Sequence, residues 1–461
     1  MADVSGHGAP AAVVMAMTHV MVQLASQKTY RLHQQWDYRD GAPVFTADGR
    51  DPTRGWTECT QGFQYGCLIL TGDALDEMSL IELGRLRTVE RMLPHVTHTG
   101  VHDHGFNNLS TYGNLLRLLT EGRLPADDWQ RQTYENAIAV SGAVQASRWS
   151  STACGLGYVY SFNGPHSLFI DTMRTIRILG AANVLGHVLM GENDQEVNLL
   201  DRAIQHGLAT SKYIVFHGQS DHLYDVRGRT AHEGTFNRND GNFRSRATQQ
   251  GYSPFSTWTR GLAWAMLGFA EELEFFAAHS LQQHADKNAD QEKAITETFL
   301  QSARDTCDHY SEDVTALDGI TYWDDGAPNL HRLGDWRDRP ADPFNDFEPV
   351  DSSASAIAAQ GLLRLGKYLG PQAGQRYWQA GLTVAKTLLS EPYLSVQEDH
   401  QGLLLHSIYH WPNHWDYVPM SSTIASGESS MWGDYHLLEL ALLLKRVASD
   451  QPYPVFFPKP K

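Results

Sequence analysis

With 461 residues the chain can bury a large core, in one domain or in two or three smaller ones. Its 36 Lys and Arg stand against 53 Asp and Glu; a formal charge of −17 without a lysine-rich run argues against a nucleic-acid partner, while local arginines can still bind an acidic substrate. The four cysteines, Cys59, Cys67, Cys154 and Cys307, show no Cys-x-x-Cys spacing, and there is no metal motif or phosphate-cradling glycine loop, so no zinc, other metal or cofactor is expected.

At the N-terminus, residues 9–24 are apolar, but Asp3 precedes them and no Lys or Arg does. The basic region of a secretory signal is missing and the run is too short to span a bilayer. The expectation is a cytoplasmic protein without a membrane partner, a periplasmic one staying open. The stretch Asp3-Val4-Ser5-Gly6-His7-Gly8-Ala9-Pro10-Ala11-Ala12 resembles one motif of the PPM-type (SpoIIE-like) serine phosphatases, in which Asp3 would ligate metal. No other acidic motif of that family is present. Residues 1–28 are therefore expected to be an extension outside the functional domain, which would span 29–461.

From about Leu80 onward the apolar spacing is helical. An Ala-rich start at 353–359 leads into Leu362, Leu363, Leu365 and Tyr368, with Asp351-Ser352-Ser353 ahead of it as an N-cap; Leu437, Leu438, Leu440, Leu442 and Leu443 fill a C-terminal helix. The best short strand candidates are 213–216 and 402–406. Loops 227–250 and 323–350 are rich in Gly, Pro, Asp and Trp, and loops of that length in a compact helical domain are uncommon unless they build a site. No low-complexity linker divides the chain. The pattern predicts one all-α domain of repeated helical hairpins, with the long loops gathered at one end.

Two aspartates stand out within this pattern. Asp103 lies in His102-Asp103-His104-Gly105-Phe106, and Asp171 ends the apolar run Leu168-Phe169-Ile170. A carboxylate among apolar groups is costly to ionise, so its pKa rises, and two carboxyls in contrasting settings are minimal equipment for acid-catalysed attack on a sugar. An aspartate in such a place is more commonly a polar residue at a helix end. Most of the 12 Trp, 19 Tyr and 17 Phe must be core, but aromatic faces also line carbohydrate sites.

The block Gln250-Gly251-Tyr252-Ser253-Pro254-Phe255-Ser256-Thr257-Trp258-Thr259-Arg260-Gly261-Leu262-Ala263-Trp264 is the most specific in the chain. On a helix beginning near Ser256, Arg260 and Trp264 share a face and offer a guanidinium clamp beside an indole platform; an Arg stacked on a Trp for stability is the plainer alternative. The block resembles a signature of the unsaturated glucuronyl hydrolases, glycoside hydrolase family 88. Five further stretches agree in order: Trp56 with Gly62-Phe63 and Thr71-Gly72-Asp73; His102 to Phe106; Ile170-Asp171-Thr172-Met173; Asp351 to Ala356; and Leu403 to His406 with Tyr409-His410 and Trp432-Gly433-Asp434-Tyr435. The resemblance runs from about Trp56 to Val447.

That resemblance implies an (α/α)6 barrel acting on oligosaccharides left by polysaccharide lyases. In the family an aspartic acid protonates C4 of the terminal 4,5-unsaturated uronate and water adds at C5. It implies Asp171 as general acid/base, protonated at rest, and Asp103 as the second carboxylate, ionised or sharing a proton. Gln250, Arg260 and Trp264 would contact substrate, Arg260 pairing with the uronate carboxylate, and His232, Trp56 and His102 would wall the site. Two departures are visible. Arg174 follows Asp171 where the family is apolar or neutral, so it either lowers the pKa of Asp171, binds a second anion such as a sulfate, or faces outward. Tyr158, Tyr160 and Phe162 replace a tryptophan. Rival readings are an unsaturated rhamnogalacturonyl hydrolase, a glycosidase acting on saturated uronides, and a non-catalytic glycan-binding barrel.

Overall fold

The computed structural model describes residues 9–36, 41–125 and 127–453, so Asp3 and the phosphatase-like stretch up to Gly8 lie outside the described residues. Among the described residues twelve helical segments alternate between an inner and an outer ring. The outer ones are α1 (Ala9–Gln35), α3 (Met78–Arg91), α5 (Asp128–Ser147), α7 (Leu199–Tyr213), α9 (Ala289–His309) and α11 (Gln375–Leu388). The inner ones are α2 (Gln61–Leu75), α4 (104–120), α6 (172–184), α8 (Thr259–Ala278), α10 (Ser352–Ala373) and α12 (Met431–Ala448). Each inner helix packs on the next, and α12 returns to α2, closing the (α/α)6 barrel expected from the sequence.

Sequence composition sorts the two rings. In α2 every residue from Gln61 to Ala74 is buried, as a helix surrounded by others requires, whereas α7 buries one stripe of Leu199, Leu200, Ala203, Ile204 and Gly207. Small residues set the spacing of the inner ring. A Cβ on Gly105 would stand 2.1 Å from the Thr175 carbonyl, and one on Gly268 2.6 Å from that of Met173, so α4 and α8 can abut α6 only with glycine there.

The expected boundary at residue 28 is not a break. The helix α1 runs straight across it and packs on α2, α11 and α12, burying Val14, Met21, Val22, Ala25 and Leu32. Within that apolar run Val14, Met21 and Val22 belong to the buried face of an outer barrel helix. Lys28, on the same helix, is buried and donates to Ser395 Oγ at 3.0 Å and to the carbonyls of Gln397 and His400 at 2.8 and 2.6 Å. No helix among the described residues is long and apolar enough to cross a membrane.

Strands occur where the alternation signal was absent. An antiparallel sheet joins β1 (Ser167–Phe169), β2 (Glu233–Phe236) and β3 (Phe243–Ala247), with Phe169 opposite Glu233 and Glu233 opposite Ala247. β1 is buried on both faces and β3 is largely exposed, so neither alternates. The expected strands at 213–216 and 402–406 form only single bridges, Val215 to Thr230, Leu404 to Leu394 and Leu405 to Ser429. The sheet delivers three sequence-distant points to one end of the barrel: β1 runs into Asp171, β2 starts after His232, and β3 ends before Thr248. The Ile170 amide donating to the His232 carbonyl at 3.0 Å fixes that junction.

Candidate active site

A cavity of about 780 Å³ opens where the inner helices begin. Of the residues expected at the site, His102, Asp103, Asp171, Gln250, Arg260 and Trp264 line it. Trp56 and His232 do not.

Asp103 and Asp171 each precede a helical turn, in the position of an N-cap, yet neither side chain caps its helix. Asp351, in the same position on α10, spends its carboxylate on the amides of Ser353 and Ala354. The contrast argues against the plainer reading of the two aspartates as helix-end polar residues, since both side chains line the cavity instead. Asp171 Oδ1 is buried and has no hydrogen-bond partner among the described residues. His102 lies between the two acids, its Nε2 3.5 Å from Asp103 Oδ1 and 3.7 Å from Asp171 Oδ2. The Phe162 ring stacks on the imidazole at 5.8 Å and Phe169 meets it edge-on at 5.8 Å. Phe162, one of the residues standing where the family has tryptophan, is therefore a cavity wall.

The charge states invert the expected order. Burial pushes both carboxyls up, but the hydrogen-bonding and charge of His102, with His232 behind, hold Asp171 below the ordinary carboxylate range. Asp103 stays above it, because burial and the neighbouring Asp171 outweigh the attraction of His102. Burial alone would lower His102, yet the two carboxylates raise it. The trio titrates as one unit, with the resting proton on the His102–Asp103 side and Asp171 ionised.

Three donor atoms of His102, Asp103 and Asp171 lie within 4.8 Å of one another, a donor set of the kind that holds a divalent ion. Ligands on a tetrahedral ion with bonds of about 2.0–2.2 Å sit ~3.3–3.6 Å apart, so these atoms, at 3.5 and 3.7 Å from the shared imidazole nitrogen, have a spacing close to that of a coordination sphere.

Arg260 is placed as expected on one face with Trp264, although α8 starts at Thr259 rather than near Ser256. Its guanidinium is nevertheless occupied. Nη1 donates to Asp351 Oδ2 at 2.7 Å and to the Ile408 carbonyl; Nη2 donates to Gln250 Oε1 at 2.8 Å and to the Tyr409 carbonyl at 2.7 Å. The group is sandwiched between Trp258 and Trp432, 4.8 and 5.0 Å from their ring centres. With all four terminal N–H groups donated inside the protein, Arg260 acts as a strut that aims Gln250 and fixes the 408–409 backbone, not as the open carboxylate clamp expected from the sequence.

His232 sits behind the wall. Its Nδ1 accepts from the Gln249 amide at 2.9 Å and the Gln250 amide at 3.4 Å, and the ring packs on Phe169 and Trp258. Burial drops its pKa to about 4, so it is neutral, and it positions the loop that carries Gln250. Trp56 is half-exposed and leans on His95 and His98 outside the cavity, leaving Thr57, Glu58 and Cys59 to form that part of the wall. Arg174 is buried and faces the barrel axis, paired at 3.0 Å with both Glu271 and Glu439, so it neither enters the cavity nor faces outward. Its charge is cancelled by those glutamates, and it is not among the groups that set Asp171.

No family model matches the chain. An unsaturated glucuronyl hydrolase of Formosa agariphila is 24% identical over 397 residues, covering 84% of this chain and 79% of that protein. The solved unsaturated glucuronyl hydrolase of Bacillus sp. GL1, described as responsible for the degradation of glycosaminoglycan, matches with a TM-score of 0.70 at 21% identity, over 96% of this chain and 99% of that one. A mutant of the Streptococcus agalactiae enzyme complexed with dGlcA-GalNAc6S matches with a TM-score of 0.62 at 19% identity, over 95% and 93% of the two chains. Over most of its length the chain is thus similar to unsaturated glucuronyl hydrolases.

The cavity also has lining residues that no sequence argument singled out for a role. Glu58 and Trp415 are the clearest. Glu58 carried no signal beyond its closeness to Trp56. Trp415 lies in Trp411-Pro412-Asn413-His414-Trp415-Asp416-Tyr417, an aromatic density in a loop that could have drawn notice.

Proposed function

We propose that the protein removes a 4,5-unsaturated glucuronyl residue from the non-reducing end of lyase-generated oligosaccharides, by hydrating the C4=C5 bond. The observation that carries this reading is the His102-bridged pair of carboxyls, unspent on helix caps and facing a cavity walled by aromatic rings.

The arrangement supports the following chemistry. The incoming uronate brings a negative charge beside Asp171, which raises its pKa and draws the shared proton across from the His102–Asp103 side. Asp171 then donates that proton to C4 of the enol ether, and the positive charge that develops at C5 is stabilised by the ionised neighbour. Water adds at C5 and its proton returns to the Asp171 carboxylate. The hemiketal so formed opens at the C5–O5 bond, and the hemiacetal left at C1 collapses to an aldehyde, releasing the rest of the chain as an alcohol. One water is consumed and no metal or redox step is needed for the balance.

Distance argues against the saturated-uronide rival in its inverting form. Inverting glycosidases keep their carboxyls roughly 6.5–9.5 Å apart to admit a water, whereas the donor atoms of Asp103 and Asp171 lie within 4.8 Å. Incubation with a lyase-made unsaturated disaccharide, followed by ultraviolet absorbance, tests the proposal. Loss of the conjugated chromophore supports it. Release from a saturated aryl glucuronide with the unsaturated sugar untouched sinks it, and turnover confined to unsaturated rhamnogalacturonan fragments selects the related rhamnogalacturonyl activity.

A further inference from the structure

Arg148 is buried, with 5% of its surface exposed, and among the described residues it has no carboxylate partner. Every other buried arginine of the described residues is ion-paired, as Arg260 is with Asp351 and Arg174 with Glu271. The Arg148 guanidinium donates to three backbone carbonyls instead: Nε to Tyr160 at 3.1 Å, Nη2 to Ser161 at 2.7 Å, and Nη1 to Thr99. It also lies over the Tyr160 ring, 4.3 Å from its centre.

These carbonyls belong to the two segments that flank His102. Thr99 stands three residues before it, in the loop that leads into α4. The loop has two further ties: His104 Nε2 donates to the His98 carbonyl at 2.9 Å, and the Thr175 hydroxyl of α6 donates to the His102 carbonyl at 2.9 Å. Ser161 stands directly before Phe162, the ring stacked on the His102 imidazole. Phe162 is 57% exposed, so its own burial does little to hold it. Arg148 itself is fixed at the C-terminal end of α5, where its carbonyl accepts the Tyr160 amide at 3.0 Å. One side chain therefore joins the loop that carries the imidazole to the turn that covers it.

An arginine braced on carbonyls can be scaffolding alone, but its charge sets this one apart. Burying a guanidinium without a counter-ion is costly, and carbonyl dipoles and the end of α5 return only partial charges. The carboxylate whose charge acts on Arg148 is that of Asp103. In return Arg148 opposes protonation of both His102 and Asp103. Other groups face these two from several elements: Asp171 ahead of α6, His98 on their own loop, Glu58 and Cys59 ahead of α2, and His206 on α7. Burial keeps His104 and His206 neutral, at pKa values of about 4 and about 3, and Cys59 a thiol. Arg148 is the permanent cation acting on this group.

We propose that Arg148 is a positioning residue for the reaction, the clamp that holds the His102 imidazole between Asp103 and Asp171 and the Phe162 ring against it. This inference rests on the function proposed above. The planar fork fixes the geometry through which the proton passes, and the charge behind Asp103 loosens the hold of the His102–Asp103 side on that proton as Asp171 takes it up.

Two variants test it, Arg148→Gln and Arg148→Lys, assayed on a lyase-made unsaturated disaccharide across pH, with rates expressed per folded molecule from the circular dichroism of the same samples. Arg148→Gln loses fork and charge: kcat should fall roughly tenfold or more while KM stays within about threefold of wild type. Its alkaline limb should move to higher pH, because the cation no longer opposes the His102 proton. Arg148→Lys keeps a cation without the fork, so kcat should again fall while the limb stays at the wild-type pH. Wild-type kcat per folded molecule in either variant, or an unmoved limb in Arg148→Gln, makes Arg148 scaffolding and overturns the inference while leaving the hydrolase reading intact. If Arg148→Gln does not fold, the lysine variant decides by its kcat. If the wild type leaves the unsaturated disaccharide untouched, the hydrolase reading itself fails and the inference falls with it.

Discussion

Arg260 Nη1 lies 2.7 Å from Asp351 Oδ2, a buried ion pair that ties the first turn of α8 to the N-cap of α10. The same guanidinium holds Gln250 and the backbone of 408–409, so one residue sets three walls of the cavity. Replacing it with alanine leaves Asp351 buried without its cation, which should cost about 3–5 kcal/mol of stability in a denaturant titration. Arg260→Lys keeps the charge but not the planar fork. It should recover much of that stability, yet stay well below wild-type turnover because Gln250 is no longer aimed.

Asp171→Asn should lower kcat roughly a hundred- to ten-thousandfold while an unsaturated disaccharide still binds, as measured by calorimetry. The side chain makes no cap bond, so its loss should leave the melting temperature close to wild type. A parallel fall in kcat and melting temperature would make Asp171 structural.

The pH profile follows from the trio. His102 is raised by Asp103 and Asp171, so it keeps its proton above its ordinary pKa of 6.5, and activity should fall on the alkaline side as that proton leaves. Asp103→Asn removes one of the two carboxylates that raise His102, so the alkaline limb should move to lower pH. Stability has its own signs. The contribution of His102 is complete below 6.5 and is lost as pH rises through its raised value; that of Asp171 is present above 3.8 and is lost as pH falls through its depressed value. Profiles of kcat/KM and of melting temperature against pH check both.

Dialysis against EDTA should leave turnover of the unsaturated disaccharide unchanged, since the proposed steps are proton transfers among His102, Asp103 and Asp171. A loss restored by one divalent ion would reassign those three residues as metal ligands.

Met21→Ala in α1 should cost about 2–5 kcal/mol, the range for emptying a fully buried methionine site, without altering kcat of the folded protein. Equilibrium unfolding with activity measured on the folded fraction separates the two effects. A negligible cost would mean that α1 is dispensable to the barrel.

The helical spacing and the family motifs made the barrel legible, because inner helices are apolar all round and outer ones are striped. The aspartates, Gln250 and Trp264 were legible because short motifs carry them. The role of Arg260 was not: a sequence shows a guanidinium beside an indole, but not that Asp351, 91 residues further on, has already taken it. The order of the two carboxyl pKa values was hidden for the same reason, since it depends on where the His102 ring points. Arg174 could not be placed from its neighbours in sequence, because the glutamates that neutralise it come from α8 and α12. And α1 was set aside because the stretch that leads into it resembles a fragment of another family, and its packing on α2 and α12 is not written in its own residues.

Those partners also constrain the order of assembly. Lys28 is held by Ser395, Gln397 and His400, contacts spanning 367 to 372 residues of sequence. During synthesis α1 emerges long before the segment that receives its ammonium or the helix α12 that covers its apolar face. Until then its buried stripe has only α2 to lie against. The hairpins between can fold in succession from local contacts, but the ring cannot close until both ends of the described chain are out. Closure therefore waits for α12, and a ribosome stalled before residue 395 should hold an open arc of hairpins with an incomplete cavity.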